Sequence, residues 1–96
     1  MLGVILTMKA QDGKAAEFEA AFGELAAEVK KNETGVVFYQ FTRSRAEANT
    51  YRVLEIFKDQ AAFEEHGRYE HTKTLFPKVA TFLDGGPQVE FLDPVG

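Results

Sequence analysis

The chain contains no cysteine, and this one absence excludes a disulfide framework, thiolate ligation of a metal and catalysis by a cysteine nucleophile. A reducing compartment is compatible with that. Long apolar runs are missing too. The opening Met1-Leu2-Gly3-Val4-Ile5-Leu6 is short and lacks the basic flank and cleavage site of a signal peptide, and no stretch reaches the length that spans a bilayer. The expected location is cytoplasmic, with no membrane partner. Nor is there an excess of basic charge. Eleven Lys and Arg against 15 Asp and Glu give a net charge of -4, and the basic residues are scattered, so the chain carries no footprint for nucleic acid. Glycine-rich phosphate loops, a nucleophile elbow and a Ser-His-Asp order are absent, as are low-complexity tracts and internal repeats.

What the sequence does have is apolar surface. It is 45% hydrophobic and includes nine Phe, enough to build a core without covalent help. With 96 residues the chain fits one domain, residues 1–96, and leaves no room for a second core.

Leu2, Val4, Leu6 and Met8 alternate with Gly3, Ile5, Thr7 and Lys9, the period-two pattern of a strand. From Lys14 to Lys31, Phe18, Phe22, Leu25 and Val29 recur at helical spacing and predict an amphipathic helix. Gly35 then suits the left-handed position that often follows a helix. Val36 to Arg43 and Thr50 to Phe57 are β-rich runs joined by a polar hairpin connection, Ser44 to Asn49. Asp59 can cap a short helix carrying Phe63 and His66 that Gly67 ends or bends. A further helical stretch runs from Tyr69 to Leu83, where Pro77 should kink or restart it. Val89 to Leu92 makes a last strand. The order is strand, helix, strand, strand, helix, strand, which defines an α+β, ferredoxin-like antiparallel sheet with helices on one face.

Both faces of the central hairpin are apolar: Val37, Tyr39 and Phe41 oppose Val36 and Phe38, and Tyr51, Val53 and Phe57 oppose Leu54 and Ile56. A half-solvated sheet would show one polar face. Two helices cover one side only, so the other side is expected to bury itself against a second copy, as a homodimer through the sheet face.

Chemistry-bearing residues are few. His66 and His71 are five apart, about 140° from each other on a continuous helix, which does not meet the zinc spacing; no metal site is expected. His66 shares a helical face with Phe63 and points toward the core. It is either a structural histidine bonded to a strand residue such as Glu55 or Tyr51, or an acid/base group for an acidic phenol or enol. His71 reads as a solvated or dimer-rim residue. Glu55 lies in an apolar strand and, if buried, needs a partner, for which Arg43 or Arg52 is within reach; a catalytic role is the alternative. Tyr39, Tyr51 and Tyr69 could orient a ligand or simply pack.

The run Tyr51-Arg52-Val53-Leu54-Glu55-Ile56-Phe57-Lys58-Asp59-Gln60-Ala61-Ala62-Phe63-Glu64-Glu65-His66, with Gly35 opening the second strand after a long helix, resembles the antibiotic biosynthesis monooxygenase (ABM) family, including its small quinol monooxygenase-like members. The resemblance implies a dimeric α+β barrel with an apolar pocket between sheet and helices. It also implies an oxidoreductase that oxidises phenols or quinols with molecular oxygen and needs no cofactor, metal or flavin, because the substrate anion itself reacts with oxygen. The tryptophan of haem-degrading relatives is absent, His66 standing near its position, and their first-strand asparagine is missing, so haem degradation is disfavoured. The tryptophan and asparagine of polyketide-oxidising members are not evident either. The expected catalytic residues are His66, Glu55 and Tyr51, and the expected substrate pocket is Phe63, Tyr39, Phe38 and Leu54, holding a small apolar or aromatic molecule. The alternatives are a non-catalytic dimeric binding or stress-response module, or a relative that degrades a signal metabolite.

Overall fold

The computed structural model describes all 96 residues. The elements are β1 (Leu2–Lys9), α1 (Ala15–Asn32), β2 (Val36–Arg43), β3 (Thr50–Phe57), α2 (Gln60–His66), α3 (Glu70–Ala80) and β4 (Gln88–Leu92). The four strands form one antiparallel sheet in the order β2-β3-β1-β4.

Pairing sets the faces. Val4, Leu6 and Met8 of β1 stand beside Glu55, Val53 and Tyr51 of β3, and these side chains turn toward the helices. Gly3, Ile5 and Thr7, beside Ile56, Leu54 and Arg52, turn to the open face. In β2 an irregularity at Val37 adds a residue opposite β3. Such a bulge resets the alternation, so Val36 pairs with Phe57 and packs on the core, while Phe38 pairs with Ile56 on the open face. The period-two expectation had put Val36 and Phe38 on one face; the bulge separates them.

Helix α1 buries one stripe, Phe18, Ala21, Phe22, Leu25, Ala26 and Val29, because those positions fall on one side of a helix of 3.6 residues per turn. Lys30 and Lys31 lie in its last turn, where positive charge complements the helix dipole. Phe18, Phe22, Phe41 and Tyr51 form an aromatic cluster with ring centroids 4.5 to 6.0 Å apart. This cluster and the Ala, Leu and Val around it are the core. Val79 of α3 completes it, with Leu75, Phe76, Phe82 and Leu83 packed around the edge. Backbone bonds from Gln11 to Phe82 (2.9 Å) and from Asp84 to Lys9 (2.7 Å) tie the end of α3 to the end of β1. Pro77 lies inside α3 without restarting it.

Two local devices set how α2 meets the sheet. Asp59 caps α2, its carboxylate accepting from the Ala62 N–H at 2.8 Å, as its sequence position suggested. Gly35 is not left-handed: positive φ occurs at Gly13, Gly85 and Asn49. Its glycine is needed because a Cβ there would lie 2.6 Å from the Cβ of Ala62, so the chain entering β2 and the start of α2 are pressed together. No helix is long and apolar enough to cross a membrane.

Candidate active site

Helix α2 ends at His66 and α3 begins at Glu70, and this break changes the meaning of the two histidines. The 140° separation applies to a continuous helix; with the chain redirected at Gly67 to Tyr69, both rings converge on one carboxylate. His66 Nδ1 lies 2.6 Å from Glu33 Oε1 and His71 Nε2 lies 2.5 Å from Glu33 Oε2. The side chain of Glu33 is 1% exposed, those of His66 and His71 19% and 11%. His71 is therefore not solvated, and the partner of His66 is Glu33 rather than Glu55 or Tyr51.

Glu33 is the residue after α1, held by its own backbone N–H donating to the Val29 carbonyl at 3.1 Å. A carboxylate only accepts hydrogen bonds, and its two oxygens serve two rings at distances short enough for charge-assisted bonds. The surroundings are aromatic. His66 stacks at an angle near Phe57 (5.3 Å) and Tyr39 (6.0 Å), Phe57 meets Phe63 edge-on (5.5 Å), and Phe63 meets Phe91 (5.2 Å). Tyr69 stacks on His71 at 5.1 Å. Thr72 Oγ1 donates to the His66 carbonyl at 3.1 Å, fastening the start of α3 to the end of α2.

Glu55 points to the same side and is 5% exposed. Arg43 and Arg52, its expected partners, are engaged elsewhere, with Glu19 and Glu47 at 2.8 and 3.1 Å. Burial raises the Glu55 carboxyl from 4.5 to about 7; the His66 ring opposes the rise and the Glu33 charge adds to it. Its acid form is thus available near neutral pH. Tyr39, buried beside both carboxylates, has its phenol pushed well above the usual value, by burial first and by Glu55 and Glu33 after that. It stays a neutral hydroxyl.

The expected site residues fall into three places. His66, Glu55, Tyr39 and Phe63 lie on the helix side of the sheet. Tyr51 does not join them: its hydroxyl donates to Glu19 at 2.6 Å, and Arg43 holds the same carboxylate. Burial and that bond to Glu19 raise the Tyr51 phenol, while Arg43 and then Tyr51 hold Glu19 below its ordinary value. Phe38 and Leu54 lie on the open face, in a groove of about 570 Å³ lined also by Ile5, Ile56, Leu92 and Val95. The resemblance implied a pocket between sheet and helices; Phe57, Phe63, Phe91 and His66 line that side with ring contacts, Phe91 staying half exposed, and the second concavity, about 300 Å³, is a polar cleft by Lys9, Arg52 and Asp84. Sequence reasoning missed Glu33 and gave His71 the wrong surroundings. A glutamate just after a helix, followed by Thr34-Gly35, looks like part of a turn; the signal for His71 was Gly67, which interrupts the helix on which its direction was judged.

An antiparallel sheet in this order with its helices on one face is the ferredoxin-like α+β fold, and comparison narrows the class. The chain belongs to the antibiotic biosynthesis monooxygenase family, whose profile matches residues 1–78. A proposed antibiotic biosynthesis monooxygenase from Caulobacter crescentus CB15 is 42% identical, with 99% of this chain and 90% of that one covered and a TM-score of 0.93. Rv0793 of Mycobacterium tuberculosis, 19% identical over 99% of this chain and 95% of its own, superposes with a TM-score of 0.87. SnoaB, a cofactor-independent oxygenase from Streptomyces nogalater, is 18% identical over 97% and 91% and gives 0.82; these two likenesses concern the fold alone. No protein of curated function matches the chain.

Proposed function

We propose that this protein is a monooxygenase that oxidises a small quinol or phenol with molecular oxygen, without a cofactor, and works as a homodimer. The observation that carries this reading is the acid/base cluster set among aromatic rings, in which His66 touches Glu33, Tyr39 and Phe57 while part of its ring reaches solvent. An aromatic substrate held against the exposed edge of His66, at the break between α2 and α3, loses a hydroxyl proton to the free ring nitrogen. The resulting anion reduces oxygen. One oxygen atom enters the ring and the other leaves as water, so a quinol becomes a hydroxyquinone and itself supplies all the electrons. The proton taken by His66 returns to the reduced oxygen, while Glu55, poised near neutrality, and the neutral Tyr39 hydroxyl lie buried behind the ring and set its electrostatic surroundings.

The homodimer rests on the open face. Phe38 is 51% exposed there, and Leu54 and Leu92 are each more than a third exposed. Covering these half-exposed side chains is worth about half of the 1.5 to 3 kcal/mol of a full burial each, a sum over two copies of the same order as the cost of association, and a second copy of the same face is the simplest cover.

Oxygen uptake with a panel of hydroquinones and anthrones tests the chemistry. The parent should turn over at least one of them, and His66→Ala should lower the rate by about 100-fold or more, the usual share of a positioned base. Equal rates would remove His66 from the reaction, and no uptake with any of them would end the proposal.

A further inference from the structure

The two bonds that converge on Glu33 carry more than support. The geometry assigns Glu33 as a positioning residue that fixes the two histidines in opposite tautomers. An ionised carboxylate offers acceptors only, so the nitrogen each ring turns toward it carries the hydrogen: Nδ1–H in His66 and Nε2–H in His71. In the neutral rings the lone pairs therefore sit on Nε2 of His66 and Nδ1 of His71. The two cases are not equivalent. A free histidine side chain favours the Nε2–H form, so Glu33 leaves His71 in its intrinsic state and holds His66 in the disfavoured one. That selection is what makes His66 Nε2 a base. The inference deepens the proposed role of His66 but is measured without any substrate.

The test is Glu33→Gln. An amide has one acceptor oxygen and one donor nitrogen in place of two acceptors, and only one ring can go on donating to it. His71 keeps its Nε2–H on the amide oxygen; His66 reverts to Nε2–H and accepts from the amide at Nδ1. Both rings then occupy their intrinsic tautomers, so the fold is kept while His66 Nε2 is blocked. The chain has two histidines, which gives a two-ring spectrum in ¹⁵N-labelled protein, assigned with His71→Gln. Long-range ¹H–¹⁵N correlations at a pH where both rings are neutral should show His66 as Nδ1–H in the parent and as Nε2–H in E33Q, with His71 unchanged. An Nε2–H tautomer for His66 in the parent would overturn the assignment, as would an unchanged His66 in folded E33Q. If E33Q does not fold, the parent spectrum alone decides, because Nδ1–H is not the form that His66 adopts unaided. Loss of oxygen uptake in E33Q with the tautomer switched supports the link to catalysis; a parent with the assigned tautomers and no turnover on any quinol overturns the reaction and leaves the positioning role standing.

Discussion

Replacing Glu55 with glutamine should make the protein more stable, and increasingly so as the pH rises. The carboxyl sits in the sheet interior with Val4 beside it in the neighbouring strand, and burial lifts it from 4.5 to about 7. Between those two values the folded protein keeps a proton that the unfolded chain has already released. Folding therefore takes up a proton there, and stability falls as pH rises through this window, levelling off above it. At about 1.4 kcal/mol per pH unit, the full loss is about 3 kcal/mol, reached near pH 8; about 1 kcal/mol of it has accrued by pH 5. Glutamine has the shape of the protonated acid and no charge to bury. Urea denaturation of parent and Glu55→Gln at pH 5 and pH 8, at one protein concentration because association shifts the midpoint, should show the variant's advantage growing by about 2 to 3 kcal/mol. An advantage equal at both pH values would mean that Glu55 titrates at its ordinary value in the folded protein, and the account of a buried, uncompensated acid would fail.

Gly35→Ala should cost about 1 to 3 kcal/mol, the usual penalty for overpacking, because the new methyl meets Ala62 at 2.6 Å; adding Ala62→Gly should recover much of that in thermal melts. Phe18→Ala, which removes a fully buried ring from the aromatic cluster, should lose about 3 to 5 kcal/mol in denaturant titration. Asp59→Ala removes the α2 cap and should cost about 1 kcal/mol, together with faster amide exchange in Gln60–His66. Leu54→Asp places a charge in the open-face groove; sedimentation should then give a monomer where the parent gives a dimer, and a parent that is already monomeric at micromolar concentration would dispose of the sheet-face interface.

The elements were legible because each rests on a local signal: the stripe from Phe18 to Val29, the alternation in β1 and β3, and the capping carboxylate of Asp59. The faces of β2 were misread at Val36, since a bulge depends on pairing with β3 and leaves no mark in the strand's own pattern. The site was half legible. His66 and Glu55 could be singled out as polar groups in apolar company. Their partners could not, because Glu33 is 33 residues from His66 and 38 from His71 in the chain, and the direction of His71 is set by how α3 docks on α1 rather than by its neighbours in sequence. Arg43 and Arg52 were sensible partners for Glu55 by charge, but Glu19 and Glu47 lie nearer the surface, where an ion pair costs less desolvation.

The three groups of the cluster share a location in the chain's grammar: Glu33 directly follows a helix, His66 is the last residue of α2 and His71 the second of α3. Spacing along the chain thus decides whether the cluster assembles. Inserting a single amino acid within α3 between His71 and Leu75, which packs on the core, would swing His71 around its helix axis by about 100° while leaving every strand paired, so a homologue with one extra residue there would share the scaffold and not the carboxylate fork.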